Sequence, residues 1–486
     1  MNRHFILTAT ALMMAVTSCS SDEPDNNGGS TGGGEEPTPP APAASVAEEN
    51  ANRAISIIDA AVTNYFDQQS MAMSRYYNPY TGQKSSEIGS VWMYTSAIEA
   101  VNATLKAMKA LKEDGKSTLY DANWTRYTQL LDKLVDNADY YAGTFDLTSY
   151  TGTNTWTVYA VNRAGGKGAA NVTGVLNVYD DQEWFIRELI EAYHATGEKK
   201  YLDKAEYLAS YVLDGWDCTL DGNGNEHGGI TWGPGYITKH SCSNGPIVSP
   251  LVWLSDIYKG KSDEIAYKRI DADGKRYEVK EAKSAYYLKM ARNVYDWQKA
   301  HLLDSSNGVY FDMLGASGDI AYETIDGVTY RAHNREDGPS GKAWSYNTGS
   351  MLSGAADLAR ATGDAGYKSD VSDLVAKSFA YFLTADSSKP GCYTLDMSGF
   401  ATWFNGVLMR AYAESYDIAP MADKGCQAFQ NNLDYGYSHY LYKSMLPVSL
   451  LGGWSRDQAK CNMEAMFTFT FASEYAVLSQ HELKKK

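Results

Sequence analysis

From about residue 45 onward the sequence repeats its apolar residues with the 3.6-residue period of a helix, and the period-2 alternation of strands is scarce. Start, stop and periodicity signals predict twelve helical segments, at 45–68, 90–112, 121–142, 179–195, 198–213, 244–259, 282–302, 346–361, 367–384, 399–416, 419–432 and 456–478. Such a chain has few ways to bury its apolar stripes. Twelve helices pair into six hairpins, and six hairpins can close into an all-α (α/α)6 barrel, a toroid whose inner ring of six helices funnels toward a central cleft.

An internal echo supports stacked hairpins. Ala-Thr-Gly-Glu-Lys-Lys-Tyr ends at Tyr201, Ala-Thr-Gly-Asp-Ala-Gly-Tyr ends at Tyr367, and a looser copy runs from Lys112 to Tyr120. Each reads as a corner between two helices, with Gly197 and Gly363 in the left-handed position that ends a helix. Long Gly-rich and aromatic-rich loops are expected at 143–179, 215–244, 304–342 and 435–454. Connections of that length in a compact domain commonly carry function. They hold Trp156, Trp232, Tyr236, Tyr310, Phe311 and Trp454, and aromatic faces of this kind stack on the C–H faces of sugar rings.

The N-terminus reads as separate from the fold. Arg3 and the apolar run from Phe5 to Val16 are followed by Thr17, Ser18 and Cys19, which resembles a lipoprotein signal peptide over 1–18 with Cys19 as the lipidated residue. Residues 19–44, with hardly an apolar side chain, are expected to form a disordered tether, and 45–486 the catalytic domain. Ser21-Asp22-Glu23 is similar to surface-export signals of some Gram-negative lipoproteins. The expected location is therefore the outer membrane, at the cell surface or periplasmic face, with the lipid anchor as the membrane contact and the protein a monomer.

The net charge of −16 argues against nucleic acid as a partner, because phosphate binding needs a basic surface. The five cysteines after Cys19 show no metal-ligand spacing and no disulfide framework, leaving room for one or two bridges at most. Asp221-Gly222-Asn223-Gly224-Asn225-Glu226 starts like a calcium loop, but its sixth position is Glu226 instead of Gly and its twelfth is Trp232 instead of Glu. No metal or other cofactor is expected.

The candidate chemistry lies in Tyr179-Asp180-Asp181-Gln182-Glu183-Trp184, where two carboxylates open a helical segment. Capping alone could explain them. Adjacent helical positions, with Cα atoms about 3.8 Å apart, can also hold two carboxyls at the roughly 5–5.5 Å that double-displacement glycoside hydrolysis uses. Phe185, Leu189, Ala192 and Tyr193 form an apolar stripe that places Asp181 on the more desolvated side and Asp180 beneath Trp184, nearer the polar side. Two like charges at that separation repel by about 3 kcal/mol at an effective dielectric near 20. One carboxyl can therefore remain protonated as the acid while the other attacks.

With Gly228-Gly229-Ile230-Thr231-Trp232, Lys239, Ser243-Asn244, Gly308-Val309-Tyr310-Phe311-Asp312 and Ser345-Tyr346-Asn347-Thr348-Gly349, this motif resembles glycoside hydrolase family 76. The resemblance covers roughly residues 50 to 478. It implies an (α/α)6 barrel and endo-acting, retaining α-1,6-mannanase activity on mannan without a metal. Asp180 would then be the nucleophile and Asp181 the general acid/base. Tyr179, Trp184, Trp232, Asn244, Asp312, Tyr346, Asn347 and Arg410 would be the substrate contacts. The sequence departs from the family pattern at Phe404-Asn405-Gly406, where a Phe-Lys-Gly type sequence is expected, and in an insertion over 261–283. A transglycosylase of the same fold and a non-catalytic glycan-binding lipoprotein are the competing readings. A binding protein, however, has no need of adjacent carboxylates.

Overall fold

The structure, a computed structural model, describes residues 44–485. The expected signal peptide, Cys19 and nearly all of the tether lie outside the described residues. Twelve helices follow in chain order: α1 (Val46–Tyr65), α2 (Val91–Glu113), α3 (Thr118–Ala138), α4 (Tyr179–Thr196), α5 (Lys199–Asp214), α6 (Gly245–Ile257), α7 (Lys283–Leu302), α8 (Ser345–Thr362), α9 (Ala365–Phe382), α10 (Ala401–Ser415), α11 (Asp423–Tyr440) and α12 (Ala465–Lys484).

The even-numbered helices touch in the order α2, α4, α6, α8, α10, α12 and back to α2, which closes an inner ring. Their sequences are covered nearly all round, as α6 shows, with ten of its thirteen residues buried. The odd-numbered helices form the outer ring and are amphipathic. In α5, Tyr201, Leu202, Ala205, Leu208, Ala209 and Val212 make the single stripe that faces inward. The fold is the (α/α)6 barrel, with its core in the cylindrical seam between the rings. Gly349 matters to that seam: a Cβ there would sit 3.0 Å from the backbone of Leu408, so the glycine lets α8 and α10 approach closely.

The connections divide by end. Those leading from an inner to an outer helix are short: Gly197-Glu198 and Gly363-Asp364 are two-residue corners with the glycines at φ +75° and +73°. Those leading from an outer to an inner helix are long, and all six gather at the end where the inner helices begin. Two of them, residues 66–90 and 383–400, are loops that the sequence reading does not single out.

These loops also correct the expectation of scarce strands. They contain short antiparallel pairings, including Ala142–Thr148 with Thr153–Tyr159 and a three-stranded sheet of Lys239–His240, Met313–Ala316 and Glu336–Ser340. The inner-to-outer connection between α6 and α7 is the exception in length. Its insertion folds as a hairpin of Glu264–Ile270 against Arg276–Ala282. The five cysteines of the described residues are all free and buried, so no bridge forms among them.

Candidate active site

The first turn of α4 opens among the long loops. Its N-cap, Val178, offers no side-chain cap, and Asp180 is placed to provide the negative charge that a helix N-terminus favours. Asp180 is half-buried and Asp181 is 6 % exposed. The asymmetry does not come from an amphipathic stripe, because α4 belongs to the inner ring and is buried on nearly every side from Tyr179 to Ala192.

Asp180 is held by several donors. Its Oδ1 accepts the backbone N–H of Asp181 at 3.0 Å and its Oδ2 accepts the indole N–H of Trp232 at 3.4 Å. Burial raises its pKa to about 6, with the Cys242 thiol and the Trp232 indole pulling the other way. Among the described residues no donor reaches the Asp181 carboxyl. Burial first, and then the charge of Asp180, push its pKa well above the usual range. The two neighbours are thus differentiated: one carboxylate is solvated by the protein and the other is held as a neutral acid.

Glu183, one turn on, is a third unusual carboxyl. It is fully buried, and burial followed by the charge of Asp180 drives its pKa up, with the Ile247 backbone N–H pulling weakly the other way. No lysine or arginine among the described residues pairs with Asp180, Asp181, Glu183 or Asp312.

The opposite wall comes from the loops before α6 and α8. Asp312 precedes the strand at Met313. It accepts the Asn347 amide at 3.3 Å, and burial raises its pKa. Tyr346 and Asn347 open α8, and Tyr346 stacks on Phe404 at 4.1 Å. Cys242 and Tyr346 both lie within electrostatic reach of Asp180 and of Asp312, which ties the two walls together. Trp232, half-buried, stacks on His240 at 4.8 Å and has Tyr236 tilted against it at 4.6 Å.

The expected site residues therefore divide. Asp180, Asp181, Trp232, Asp312, Tyr346 and Asn347 come together. Trp184 forms the floor, nearly buried and edge-on to Trp403 at 4.8 Å. Three others serve the scaffold instead. Tyr179 turns into the core against Tyr211 and Gly215. Asn244 is fully buried, with its amide committed to Ile230 and His240 at 2.7–2.9 Å, so it pins the loop before α6. Arg410 lies two turns along α10, beneath the tryptophan floor, and pairs with Glu99. Cys242 and Glu183 are the additions that sequence reasoning missed. For Cys242 the available signal was its place in the loop entering an inner helix, and the search for metal-ligand spacing overlooked it. The Asp221 loop uses its carboxylate on the backbone of Asn223 and Asn225 at 2.8 and 2.9 Å, as an ordinary turn does.

The family model described as glycosyl hydrolase family 76 matches residues 276–434, a segment that holds Asp312, Tyr346, Asn347 and Arg410 but not the aspartate pair. No curated protein matches the chain in sequence. Solved structures share the fold. A family 76 glycoside hydrolase (mannosidase) from Bacteroides thetaiotaomicron VPI-5482 superposes with a TM-score of 0.65 at 20 % identity, covering 90 % of this chain and 100 % of that one. An α-mannanase of the same family from Bacteroides thetaiotaomicron gives 0.60 at 16 % identity, covering 90 % and 96 %. An inactive variant of an α-1,6-mannanase from Salegentibacter sp. HEL1_6, with two consecutive aspartates replaced by asparagines and α-1,6-mannotriose bound, gives 0.59 at 14 % identity, covering 89 % and 99 %. The family match over residues 276–434 and the barrel that these structures share make this chain similar to the glycoside hydrolases of family 76.

Proposed function

We propose that the protein is a retaining, endo-acting α-1,6-mannanase, with Asp180 as nucleophile and Asp181 as general acid/base. The observation that carries this reading is the aspartate pair itself: adjacent on one helix turn, without a cation, and set apart in burial and hydrogen bonding. In the first step the Asp180 carboxylate attacks the anomeric carbon, the glycosidic C–O bond breaks, and the Asp181 proton passes to the departing oxygen. In the second, water attacks the same carbon, Asp181 takes its proton, and Asp180 leaves with the electron pair of the ester bond. Adjacent carboxyls leave no room for a water between Asp180 and the anomeric carbon, which is why retention is the expected outcome.

The linkage and the internal mode of cleavage rest on the family and on the α-1,6-mannotriose held by the structurally similar Salegentibacter enzyme. Trp232 and Tyr346 are the candidate sugar platforms, with Asp312 and Asn347 the groups that bind hydroxyls. By the N-terminal sequence, the enzyme acts from a lipid anchor at Cys19 in the outer membrane, as a monomer.

Digestion of unbranched α-1,6-mannan tests the reading. Early products of many lengths and first appearance of the α-anomer by proton NMR are expected. Release of mannose alone from the outset would overturn internal cleavage. Initial β-anomer would overturn retention and make Asp312 the base acting from across the cleft.

A further inference from the structure

The insertion at 261–283, one of the two departures from the family 76 pattern, builds a hairpin. The hairpin leaves the α6–α7 connection, at the end of the barrel away from the long loops. Each of its seven-residue strands is about 23 Å long at roughly 3.3 Å per residue. That matches the outer helix α5, whose sixteen residues span about 24 Å. The hairpin thus runs the height of the barrel, and the contacts near its turn show where it ends. Arg276 donates to the Tyr150 carbonyl at 3.0 Å, pairs with Glu323 at 2.7 Å and lies over the Tyr330 ring at 3.9 Å, while Lys268 reaches the Thr151 carbonyl.

Between this hairpin and the barrel wall is a cavity of about 440 Å3, within the roughly 300–1,000 Å3 of small-molecule sites. Its walls bring together Trp156, Trp216, Tyr267 and Tyr286 with Asp214 and Asn293, and none of the aspartates of the cleft lines it.

The charges of this wall are held by local partners. The Asp214 carboxylate accepts from Ser149 at 2.7 Å, Thr151 at 3.0 Å and the Trp156 indole at 3.2 Å. Glu226 accepts from the Trp216 indole at 2.8 Å and pairs with Arg269 at 3.3 Å. Lys289 is held by Glu281 and the Tyr267 hydroxyl, and Lys268 stands directly across the hairpin from Glu278. The lining carries three carboxylates (Asp214, Glu226, Glu278) and three cations (Lys268, Arg269, Lys289), so its net charge favours an ion of neither sign. The cavity instead offers aromatic surface beside oriented amide, hydroxyl and carboxylate groups, the combination that fits a ring with apolar faces and a rim of hydroxyls.

We infer that this flank cavity is a second saccharide-binding site, holding one or two hexose units of the polymer whose backbone is cut in the cleft. The identity of the sugar rests on the mannanase reading; the neutral, hydroxyl-rich class of ligand rests on the cavity alone.

The test uses the Asp180→Asn/Asp181→Asn protein, which is expected to hold substrate without cutting it, in affinity electrophoresis through gels containing α-1,6-mannan or other neutral polysaccharides. Trp156→Ala and, separately, Asn293→Ala, on the accessible face of α7, are expected to weaken retention by mannan about tenfold. In the otherwise wild-type enzyme the same substitutions should raise KM for the polymer and leave kcat/KM for a mannotetraose within twofold. If both variants are retained as well as their parent on every polysaccharide, the site is overturned while cleft activity stands. If mannan is neither cut nor retained, yet another neutral polysaccharide is retained through Trp156 and Asn293, the site stands and the mannanase reading falls. Should Trp156→Ala fail to fold, Asn293→Ala decides alone.

Discussion

Two groups of buried charges on the inner ring, one toward each mouth of the barrel, are treated in opposite ways. At the narrow end, where tight corners join the helices, most carboxylates have a cation or a set of donors, with Glu474 beside Glu99 the exception, raised to about 8 by burial. Arg410 pairs with Glu99, and Arg187 with Glu188 and Glu414 at 3.0 and 2.7 Å. Lys106 pairs with Glu191 at 2.7 Å, while Asn102 and Ser353 complete Glu188 and Glu414. At the wide end Asp180, Asp181 and Glu183 sit within two turns of one helix with no cation. Matched charges staple inner helices to one another, and unmatched ones hold protons ready for transfer. Chemistry is therefore to be sought where the barrel leaves its carboxylates uncompensated.

The sharpest break would come from the aspartates. Asp180→Ala and Asp181→Ala are each expected to lower activity on mannan by roughly 10²–10⁴-fold or more without loss of folding. A substrate with an activated leaving group should partly restore the first step in Asp181→Ala and leave Asp180→Ala inactive. Single-turnover kinetics on the two variants separates these outcomes, and a loss below tenfold in either would remove the wide end's claim to the chemistry.

Arg410→Met probes the other end. It leaves Glu99 partly buried without its cation, and breaking a buried pair from one side costs about 3–5 kcal/mol. Denaturant unfolding should show that loss, while kcat of the folded protein stays near wild type. Intact stability with a raised KM would instead return Arg410 to the substrate subsites where the family resemblance puts it.

A smaller effect is expected from pH. As the proposed nucleophile Asp180 must be ionised to attack, so kcat/KM should rise with pH up to a limb near 6 and fall again as Asp181, the proposed acid, loses its proton. Stability should run the other way. A carboxyl whose folded pKa is raised contributes most below its unfolded value near 3.8, and that contribution is lost as pH rises through about 6. Asp180→Asn should therefore flatten the melting temperature between pH 4 and 7, and an unchanged slope would place the titration elsewhere.

The fold was legible because helices announce themselves locally. The expected 90–112 differs from α2 by one residue at each end, and 282–302 from α7 by one residue at its start. The last helix was misplaced, expected at 456–478 and found at Ala465–Lys484. The Asp457 side chain caps a single short turn at Gln458–Lys460, and the chain then pairs Met463–Glu464 as a strand before α12 begins. Of the site, the adjacent aspartates were legible as a pair of neighbours in one motif. Their surroundings were not, because Cys242, Asp312 and Tyr346 reach them from loops and helices distant in sequence. Tyr179 and Asn244 show the converse difficulty: a motif residue that pins a loop and one that touches substrate look alike until burial separates them.

The smallest predicted effect tests the corners. Gly363 ends α8 at φ +73°, its N–H bonds the Ala359 carbonyl at 2.9 Å, and a Cβ there would meet nothing within 4 Å. Gly363→Ala therefore incurs only the cost of placing an L-residue in the left-handed region, about 1–2 kcal/mol, less the entropy that alanine removes from the unfolded chain. Gly197, at φ +75° with equally open space, should respond alike, because the two corners repeat the same Ala-Thr-Gly sequence. The double variant should lose close to the sum of the two, since the corners join different hairpins and share no hydrogen bond. Activity at 25 °C should stay at the wild-type level throughout. A fall in kcat larger than the unfolded fraction explains would mean that the narrow end does more than close the barrel, and that strain at a corner reaches Asp180 along α4, whose C-terminus Gly197 caps.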